Sequence, residues 1–449
     1  MMGGDPGNVR HLPMPAPTEP DDGEAAKRPL SAALALALTT YSAEELEASG
    51  RPHPHAFMGG EAGLFPISEV SVVASPGREG KTYSLVAIAA AYVRGETLAG
   101  LDPMPKRTAV IYSAEDDRAQ YARKLGALKW MLGDTTNSIE WWKRILVPDL
   151  EDSGIREWRE LVRVSALTRR PEKSQAVAAI INALAPRMDD EVAPGLLIFE
   201  TASTLSDAEE DNTGLKVLVS ALKDIAKALG IAVVLVHHTS QAGASNLATL
   251  NPTTADIRGG TALTANARQC LMLVNLGSED DPFPDSDART VLRKMWAPLE
   301  RRRLSMLICL DSSKSLPPRP IAFAWESTPK HGPALKPIGA PQHLIGASWR
   351  KVRAMIDGKR ADARADAKAT EVAAKVQNVV EAVRRLQDAG TPASAKAVSA
   401  ACSRTKEWAL PYLQNAVEQG LLTTSTERLP HTRSDTTIYR AANWANGAM

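Results

Sequence analysis

VVASPGREGKTYSLVAIAAA, residues 72–91, runs from an apolar segment through a turn that ends Gly80-Lys81-Thr82 into a series of good helix formers. The turn fits the pattern G-x-x-x-x-G-K-[ST], with Ser75 where the first glycine is usual. A bound triphosphate needs inward-pointing backbone N–H groups, a flexible cation for its outer phosphates and a hydroxyl for its metal ion. The stretch therefore predicts a strand, a phosphate-binding Walker A loop and a helix.

Within this loop, Lys81 supplies the cation and Thr82 the metal-binding hydroxyl, and the positive end of the following helix faces the phosphates. We expect the ligand to be ATP with Mg²⁺. The residues predicted to bind it are Ser75, Pro76, Gly77, Arg78, Glu79, Gly80, Lys81, Thr82 and Tyr83. The alternative is a chance GKT sequence in a strand-to-helix turn, but the apolar strand before it and the alanine-rich helix after it favour a nucleotide site.

The composition is that of a protein that folds in water. The chain has 449 residues, 44% hydrophobic and 23% charged, enough for two or three domains with a sizeable core. Its three cysteines, Cys270, Cys309 and Cys402, are widely spaced, which argues against a disulfide framework or a zinc site and fits a reducing compartment. Because the sequence has no apolar run of about 18 residues and no signal-peptide pattern near its start, we expect a cytoplasmic protein without a membrane partner. The net charge of +1 neither indicates nor excludes nucleic acid.

Short β-branched runs alternate with helical stretches through the first three quarters of the chain, a pattern typical of a parallel sheet covered on both faces. We predict an α/β domain over residues 29–345, preceded by a disordered tail of residues 1–28. Residues 346–371 mix alanine with alternating charge and are expected to form a charged, partly helical linker. Residues 372–449 have the order helix, helix, helix and polar hairpin, the layout of a winged helix-turn-helix domain.

Carboxylates end two further apolar runs, at the sheet edge where ligands bind in parallel α/β proteins. Glu115 and Asp116 end AVIYSAED. A carboxylate there either orients or deprotonates the attacking water, or caps the next helix. Glu200 ends GLLIFE, where a Walker B strand normally has Asp. It either keeps the role in Mg²⁺ binding with changed geometry or marks weakened hydrolysis.

Imidazole side chains end one more predicted strand, and basic side chains precede another. His237 and His238 end VVLVHH. Adjacent strand residues point to opposite faces, so one of the two at most faces the site, and we predict a γ-phosphate contact by His238. Arg258 and Arg268 precede another apolar run. Either is a surface charge, or Arg268 reaches the γ-phosphate of a neighbouring subunit as an arginine finger.

Taken in order, these segments resemble the RepA-type replicative helicases, which belong to the RecA-like hexameric ATPases. The matching motifs are VVASPGREGKTYSLVAIAAAYV, SAED, VHHTS and RGGTAL, and the resemblance covers roughly residues 60–276 and, loosely, 290–340. It implies a RecA-like P-loop ATPase core that assembles into a homo-oligomer, a hexamer.

The resemblance also implies roles for single residues. It makes Lys81 and Thr82 ligands of phosphate and Mg²⁺, Glu115 the catalytic base, His238 the γ-phosphate sensor and Arg268 the finger across a subunit interface. Glu200 departs from the family's Asp. DNA-contacting loops would face the ring centre, where SQAGASNLATLNPTTAD, residues 240–256, is the equivalent segment, and Lys314 would be a second basic residue near the neighbour's nucleotide.

The last 78 or so residues lie outside that family pattern. Arg404, Lys406 and Trp408 open the candidate recognition helix. Such groups read base edges and phosphates of duplex DNA, and the alternative is a winged helix that docks protein. The predicted wing carries Arg428, His431, Arg433 and Arg440.

Three functions are compatible with these features. The favoured one is an ATP-driven ring that moves along single-stranded DNA, a helicase of plasmid, phage or other mobile-element replication. The second is a nucleotide-gated DNA-binding regulator or loader with slow hydrolysis, motivated by Glu200 and the winged helix. A RecA-like recombination filament is the third, less favoured because the histidine pair replaces other polar residues. The insertion with Trp141 and Trp142 is either core or contact surface.

Overall fold

The computed structural model describes residues 44, 52–77, 79–105, 108–113, 115–133, 140–149, 159–190, 192–208, 212–284, 287–296, 301–430 and 434–442. By its contacts the chain divides into two units, Met1–Pro52 and His53–Met449. Every strand and helix named below belongs to the second unit. The predicted tail of residues 1–28 lies outside the described residues.

The secondary structure elements are numbered in chain order. The strands are β1 (His55–Gly59), β2 (Ala62–Pro66), β3 (Val70–Ser75), β4 (Asp102–Pro103), β5 (Thr108–Ser113), β6 (Ile145–Leu146), β7 (Val162–Val164), β8 (Pro171–Lys173), β9 (Pro194–Glu200), β10 (Ala232–His238), β11 (Gln269–Gly277), β12 (Leu304–Ser312), β13 (Ile321–Thr328), β14 (Gly332–Ile338), β15 (Leu422–Glu427) and β16 (Thr436–Ala441). The α-helices are α1 (Lys81–Arg94), α2 (Arg118–Met131), α3 (Ala176–Leu184), α4 (Asn212–Leu229), α5 (Gln241–Asn246), α6 (Gly260–Thr264), α7 (Ala288–Trp296), α8 (Trp349–Asp388), α9 (Ala395–Ala401) and α10 (Lys406–Glu418).

One large sheet organises the first part of the unit. Its nine strands have the order β14-β13-β12-β11-β3-β10-β9-β5-β6. Neighbours from β11 to β6 are parallel, whereas β12, β13 and β14 extend the sheet by antiparallel pairing. The prediction of an α/β fold with a mostly parallel sheet and flanking helices is confirmed.

The central strand β3 shows why the sequence folds this way. All six of its residues are buried between β10 and β11. Val72 belongs to one hydrophobic cluster, together with side chains of α4, and Val73 belongs to another, together with side chains of α1. A strand that is apolar on both faces is stable only where helices cover both sides of the sheet. The Walker A loop therefore follows a strand fixed deep in the core.

The insertion after α2 contributes to that core. Trp141 is 1% exposed and belongs to the same cluster as α1, and Trp142 packs partly buried beside it. Their rings meet edge to face at 5.9 Å between centroids. Of the two predicted roles for this pair, Trp141 has the core one.

Helix α8 differs from the predicted linker followed by a separate helix, because residues 349–388 form one helix of 40 residues, about 60 Å long. Val352 and Ile356 pack into the core of the large sheet, whereas the helix end from Val376 belongs to a third cluster. The stretch between them is almost entirely exposed. Alanine and long charged side chains favour a helix even without packing, and ion pairs at i,i+4 such as Glu371 with Lys375 support it.

The C-terminal module has its own core. The end of α8 packs with α9, α10 and the antiparallel pair β15–β16 around Val379, Val398 and Leu413. Three helices and a hairpin thus occur in the predicted order. The winged helix-turn-helix assignment stays a prediction, and His431 and Arg433 of its wing lie outside the described residues.

The expectations about membrane spans and about cysteines can be compared with the described part of the chain. None of its helices has both the length and the apolar character needed to cross a membrane. Cys270, Cys309 and Cys402 are free thiols. Burial raises the pKa of Cys270 and of Cys309 to about 12.

Candidate nucleotide-binding site

The Walker A loop occupies the turn between β3 and α1. Gly80 directly precedes the helix with φ of 91°, in the left-handed region that favours glycine. A Cβ on Gly80 would also lie 2.4 Å from Cζ2 of Trp325. Backbone conformation and close packing therefore both require glycine before Lys81. Arg78, one of the predicted contacts, lies outside the described residues.

Lys81 is buried and lies back over the loop. Its Nζ is 3.4 Å from the carbonyl oxygen of Ser75, 3.2 Å from that of Pro76 and 3.3 Å from Nδ1 of His238. Burial lowers the pKa of Lys81, and the negative charge of Glu200 opposes that shift. Among the described residues, the hydrogen-bond partners of this cation are carbonyl and imidazole groups, and the phosphates of a nucleotide would supply a strong anionic partner.

Glu200 lies next to the loop at the end of β9 and is 2% exposed. It accepts hydrogen bonds from the hydroxyls of Thr82 and Tyr121, one on each carboxylate oxygen. Burial raises the pKa of Glu200, and both hydroxyls act in the opposite direction. The extra methylene relative to Asp thus brings the carboxylate into direct contact with the Walker A hydroxyl. The Glu200–Thr201 peptide bond is cis.

Tyr121, which sequence reasoning missed, comes from the first turns of α2. Its ring is 1% exposed, and burial together with the charge of Glu200 raises its pKa. Neither a motif nor a strand end marks this position in the sequence. Only the packing of α2 against the sheet brings the hydroxyl to Glu200.

The two carboxylates that follow β5 have different environments. Glu115 is exposed and accepts a hydrogen bond from Oγ1 of Thr201 at 3.1 Å. Asp116 forms an ion pair with the buried Lys124, with 2.5 Å between Oδ2 and Nζ. Of the pair, Asp116 is the carboxylate in a lysine ion pair, whereas the negative charge of Glu115 acts on Lys81 and opposes the burial that lowers the pKa of that lysine. The helix cap that was the alternative for this segment is supplied by Asp117.

Lys124 is a second cation that sequence reasoning missed. Its Nζ lies 5.0 Å from the ring centroid of Tyr121 and 5.6 Å from that of Tyr83, within the range of cation–π attraction. Tyr83, a predicted nucleotide contact, also packs against Trp325 of β13, with 5.4 Å between ring centroids. The antiparallel strands thus reach the loop through Trp325, whose indole N–H donates to the hydroxyl of Ser305 at 2.9 Å.

His237 and His238 occupy different environments at the end of β10. His238 is paired in register with Ser75 and is half-buried beside Lys81. His237 is fully buried, and burial lowers its pKa to about 4. His238 is therefore the one of the pair that lies at the loop.

Buried histidines predict a loss of stability in mild acid. Burial also lowers the pKa of His55 in β1 to about 4, whereas an unfolded histidine titrates near 6.5. Between these values the unfolded chain binds more protons. The contribution of these neutral histidines to the free energy of unfolding is therefore fully present above about pH 6.5. It is lost as the pH drops toward 4. The free energy of unfolding should fall by about 2 kcal/mol per histidine between about pH 7.5 and pH 5.

Urea unfolding at the two pH values measures this effect. His55→Gln removes one titrating group, so its loss of stability on acidification should be smaller than that of the unmodified chain by about that amount. An equal loss in both proteins would contradict the assignment.

Arg268 and Lys314 lie at the opposite edge of the sheet from the loop. The backbone N–H of Arg268 donates to the carbonyl oxygen of Val70, the first residue of β3. Both side chains form ion pairs with Glu69, at 3.5 Å for Arg268 and 3.7 Å for Lys314. Because β3 separates this edge from the loop by its full length of about 20 Å, the structure does not bring Arg268 to the Lys81 of its own chain.

The oxygen ligands at the loop fit Mg²⁺ bound with a nucleotide. Among the described residues, no group of three or more His, Cys, Asp or Glu side chains forms a metal site of its own. Mg²⁺ commonly binds through one or two protein oxygens, with phosphates and water as the other ligands. The hydroxyl of Thr82 and the carboxylate of Glu200 are such a pair, and they are already in contact.

Part of the sequence is similar to a known protein family, and the fold has solved structural neighbours. Residues 35–244 match a family model described as an AAA domain. A DnaB-like replicative helicase, solved in connection with its interactions with primase, has 12% sequence identity and a TM-score of 0.39, over 68% of this chain and 70% of that one. The flagellar accessory protein FlaH from Methanocaldococcus jannaschii has 11% identity and a TM-score of 0.33, over 61% of this chain and 92% of that one. No curated protein matches the sequence.

The family match includes the elements that build the site, from β3 and α1 through β10. Lys81, Thr82, Glu200 and His238 all lie within it. Residues 35–244 are therefore similar in sequence to an AAA domain, and the nucleotide-site residues lie within that similarity.

Proposed function

We propose that this protein is an ATP-dependent DNA motor, a ring-forming replicative helicase of the RepA type that serves plasmid, phage or other mobile-element replication. The observation that carries the proposal is the convergence of Lys81, Thr82, Glu200 and His238 from two strand ends and one helix start. A buried lysine, a hydroxyl, a carboxylate and an imidazole are the groups that triphosphate hydrolysis uses.

Each group has a distinct role in hydrolysis. Lys81 binds the outer phosphates, and the backbone N–H groups at the start of α1 face the same charges. Thr82 and Glu200 hold Mg²⁺, which would neutralise charge that develops on the phosphates. Glu115 orients the attacking water and accepts its proton. His238, next to Lys81, contacts the γ-phosphate and so responds to its loss.

In a ring, a neighbouring protomer would supply the basic side chains that one chain does not bring to its own nucleotide. Arg268 and Lys314 would project from one protomer toward the nucleotide of its neighbour, which accounts for their place on the edge opposite the loop. Such head-to-tail contacts between identical subunits close into a ring when the rotation allows it. A hexamer of this kind would place residues 240–256 toward single-stranded DNA. Helix α10 and the β15–β16 hairpin would then contact duplex DNA.

ATP turnover in the presence of DNA tests the proposal. We expect phosphate release to rise at least about tenfold when single-stranded DNA is added, because DNA contact would order the loops that link neighbouring sites. The full chain should also displace the strand of a forked duplex when ATP is present. Turnover that ignores DNA, or a fork that stays intact, would contradict the motor.

A second candidate is a nucleotide-gated DNA-binding regulator or loader. The observation that favours it is the arrangement of Glu200, whose two carboxylate oxygens already accept from Thr82 and Tyr121. A carboxylate bound in this way competes with Mg²⁺ binding and would slow hydrolysis. On the forked duplex a regulator binds without unwinding, so the same experiment separates the two functions.

A further inference from the structure

A groove of about 640 Å³ opens beside the edge strand β6, and Tyr121 is one of its lining residues. Most of its lining is aliphatic and comes from β5, α2, β6 and α3. The apolar residues include Val110, Leu125, Ile145, Val147 and Leu184. A partner with aliphatic side chains would bury this surface favourably.

Three cations line the same groove. They are Arg118 at the start of α2, Lys143 just before β6 and Arg187 just after α3. No Asp or Glu is among the described lining residues. Glu140 forms an ion pair with Lys143 and offsets one of the three charges. The remaining excess is positive, so the groove is complementary to an acidic partner.

The backbone at the groove favours an extended partner. β6 ends the large sheet, and within the described residues its one neighbour is β5. An edge strand offers main-chain groups to an added strand. Pro148 has no N–H, which limits such pairing to the few residues that precede it.

We propose that this groove binds an extended segment of a partner protein in which aliphatic and acidic side chains alternate. One face of such a segment would place its aliphatic groups against Val110, Leu125 and Leu184. The other would direct carboxylates to Arg118, Lys143 and Arg187.

Single-stranded nucleic acid fits this groove less well. Base binding relies on aromatic rings that are free to stack. The lining has two large aromatic side chains, Tyr121, which is 1% exposed, and Trp142, whose ring is already engaged. Nζ of Lys129 lies 3.6 Å from the ring centroid, and Trp141 contacts it edge to face. The aliphatic lining of the groove therefore favours a protein segment over single-stranded nucleic acid.

The test uses the full chain and a fluorescein-labelled peptide of eight residues in which Asp and Leu alternate. Fluorescence anisotropy should show saturable binding. The double variant Lys143→Glu with Arg187→Glu should weaken it at least about tenfold. Lys359→Glu combined with Arg364→Glu, an equal change of charge on the exposed part of α8, is the matched control and should bind like the unmodified chain. Leu184→Gln should weaken binding without any change of charge.

Competing outcomes are distinguishable. A peptide in which Lys and Leu alternate should bind the double variant better than the unmodified chain. Absence of saturable binding by the acidic peptide, or equal binding by the double variant and the control, would overturn the proposal. So would a labelled oligothymidylate that binds more tightly than the peptide and loses affinity in the double variant. Thermal melts of all variants report whether they are folded.

Discussion

Replacing Lys81 by alanine is expected to lower ATP turnover by on the order of 10²- to 10³-fold while the chain stays folded. Lys81 is the buried cation of the loop, 3.2–3.4 Å from two carbonyl oxygens and from His238. Its charge would bind the outer phosphates in a site largely shielded from water, where one preorganised cation contributes far more than at the surface. The fold should tolerate the change, because it removes a desolvated charge that has no anionic partner at hydrogen-bond distance in the described part of the chain.

Phosphate release with saturating ATP, in the presence and absence of single-stranded DNA, measures this loss. Lys351→Ala, an exposed lysine on the first turn of α8, is the matched control and should keep full turnover. Lys81→Arg retains the charge and tests whether length and shape also matter. If Lys81→Ala turns over ATP within about a factor of three of the control, the Walker A interpretation is wrong.

The Lys81 variant also separates turnover from binding. In the motor, loss of turnover stops strand displacement, since each step of movement requires hydrolysis. In the regulator, DNA binding that depends on nucleotide would continue as long as ATP still binds. DNA binding by the same variant, measured with and without ATP, is therefore a second experiment that distinguishes the two functions.

The sequence predicts the part of the site that is formed by residues adjacent in the chain. A strand of β-branched residues, a glycine turn and a helix are contiguous over residues 72–91, so a pattern of spacing is enough to place Lys81 and Thr82. Site residues at strand ends can also be predicted, because the last residues of parallel strands lie at the same edge of the sheet. Glu115, Glu200 and His238 follow from that rule.

The rest of the site depends on packing between distant elements. Tyr121 and Lys124 reach it from the face of a helix, and no turn signal distinguishes them from other residues of α2. Trp325 reaches Gly80 from a strand some 245 positions later in the chain. Such contacts are fixed by how β13 and α2 lie on the sheet, which periodicity alone does not give.

Helix α8 shows a different limit of prediction from sequence, because one charge pattern fits two kinds of structure. Alternating charge and alanine are compatible with both a linker and a solvated helix, so this pattern alone does not predict one continuous helix. Helix propensity decides the matter, because no proline interrupts the run and the one glycine, Gly358, costs only about 1 kcal/mol. Packing at both ends, through Ile356 and Val376, then holds one continuous helix.

Replacing Arg268 by alanine is the second change with a large expected effect, a loss of turnover of roughly 10³-fold or more if the side chain acts as an arginine finger. Arg268 lies on the edge of the sheet opposite its own loop, beside Glu69 and Lys314. It can therefore act only on the nucleotide of a neighbouring protomer. Arg170→Ala, which changes an exposed arginine in the turn between β7 and β8, is the matched control.

Mixing two inactive variants tests the action in trans directly. One protomer carries Lys81→Ala with an intact Arg268, and the other carries Arg268→Ala with an intact Lys81. At an interface where the second contributes the loop and the first contributes the arginine, both functional groups are present. Random assembly of equal amounts makes about a quarter of the interfaces of this kind, so turnover should recover to about that fraction of the unmodified level.

The mass of each variant in solution with ATP shows whether assembly is retained, since the ion pair with Glu69 is also lost in Arg268→Ala. Arg268→Lys keeps that charge but not the planar fork, so it should assemble and remain slow. A mixture no more active than the sum of its two components, at equal assembly, would show that Arg268 does not act across the interface. The cationic edge would then have only the structural role that its contact with Glu69 provides.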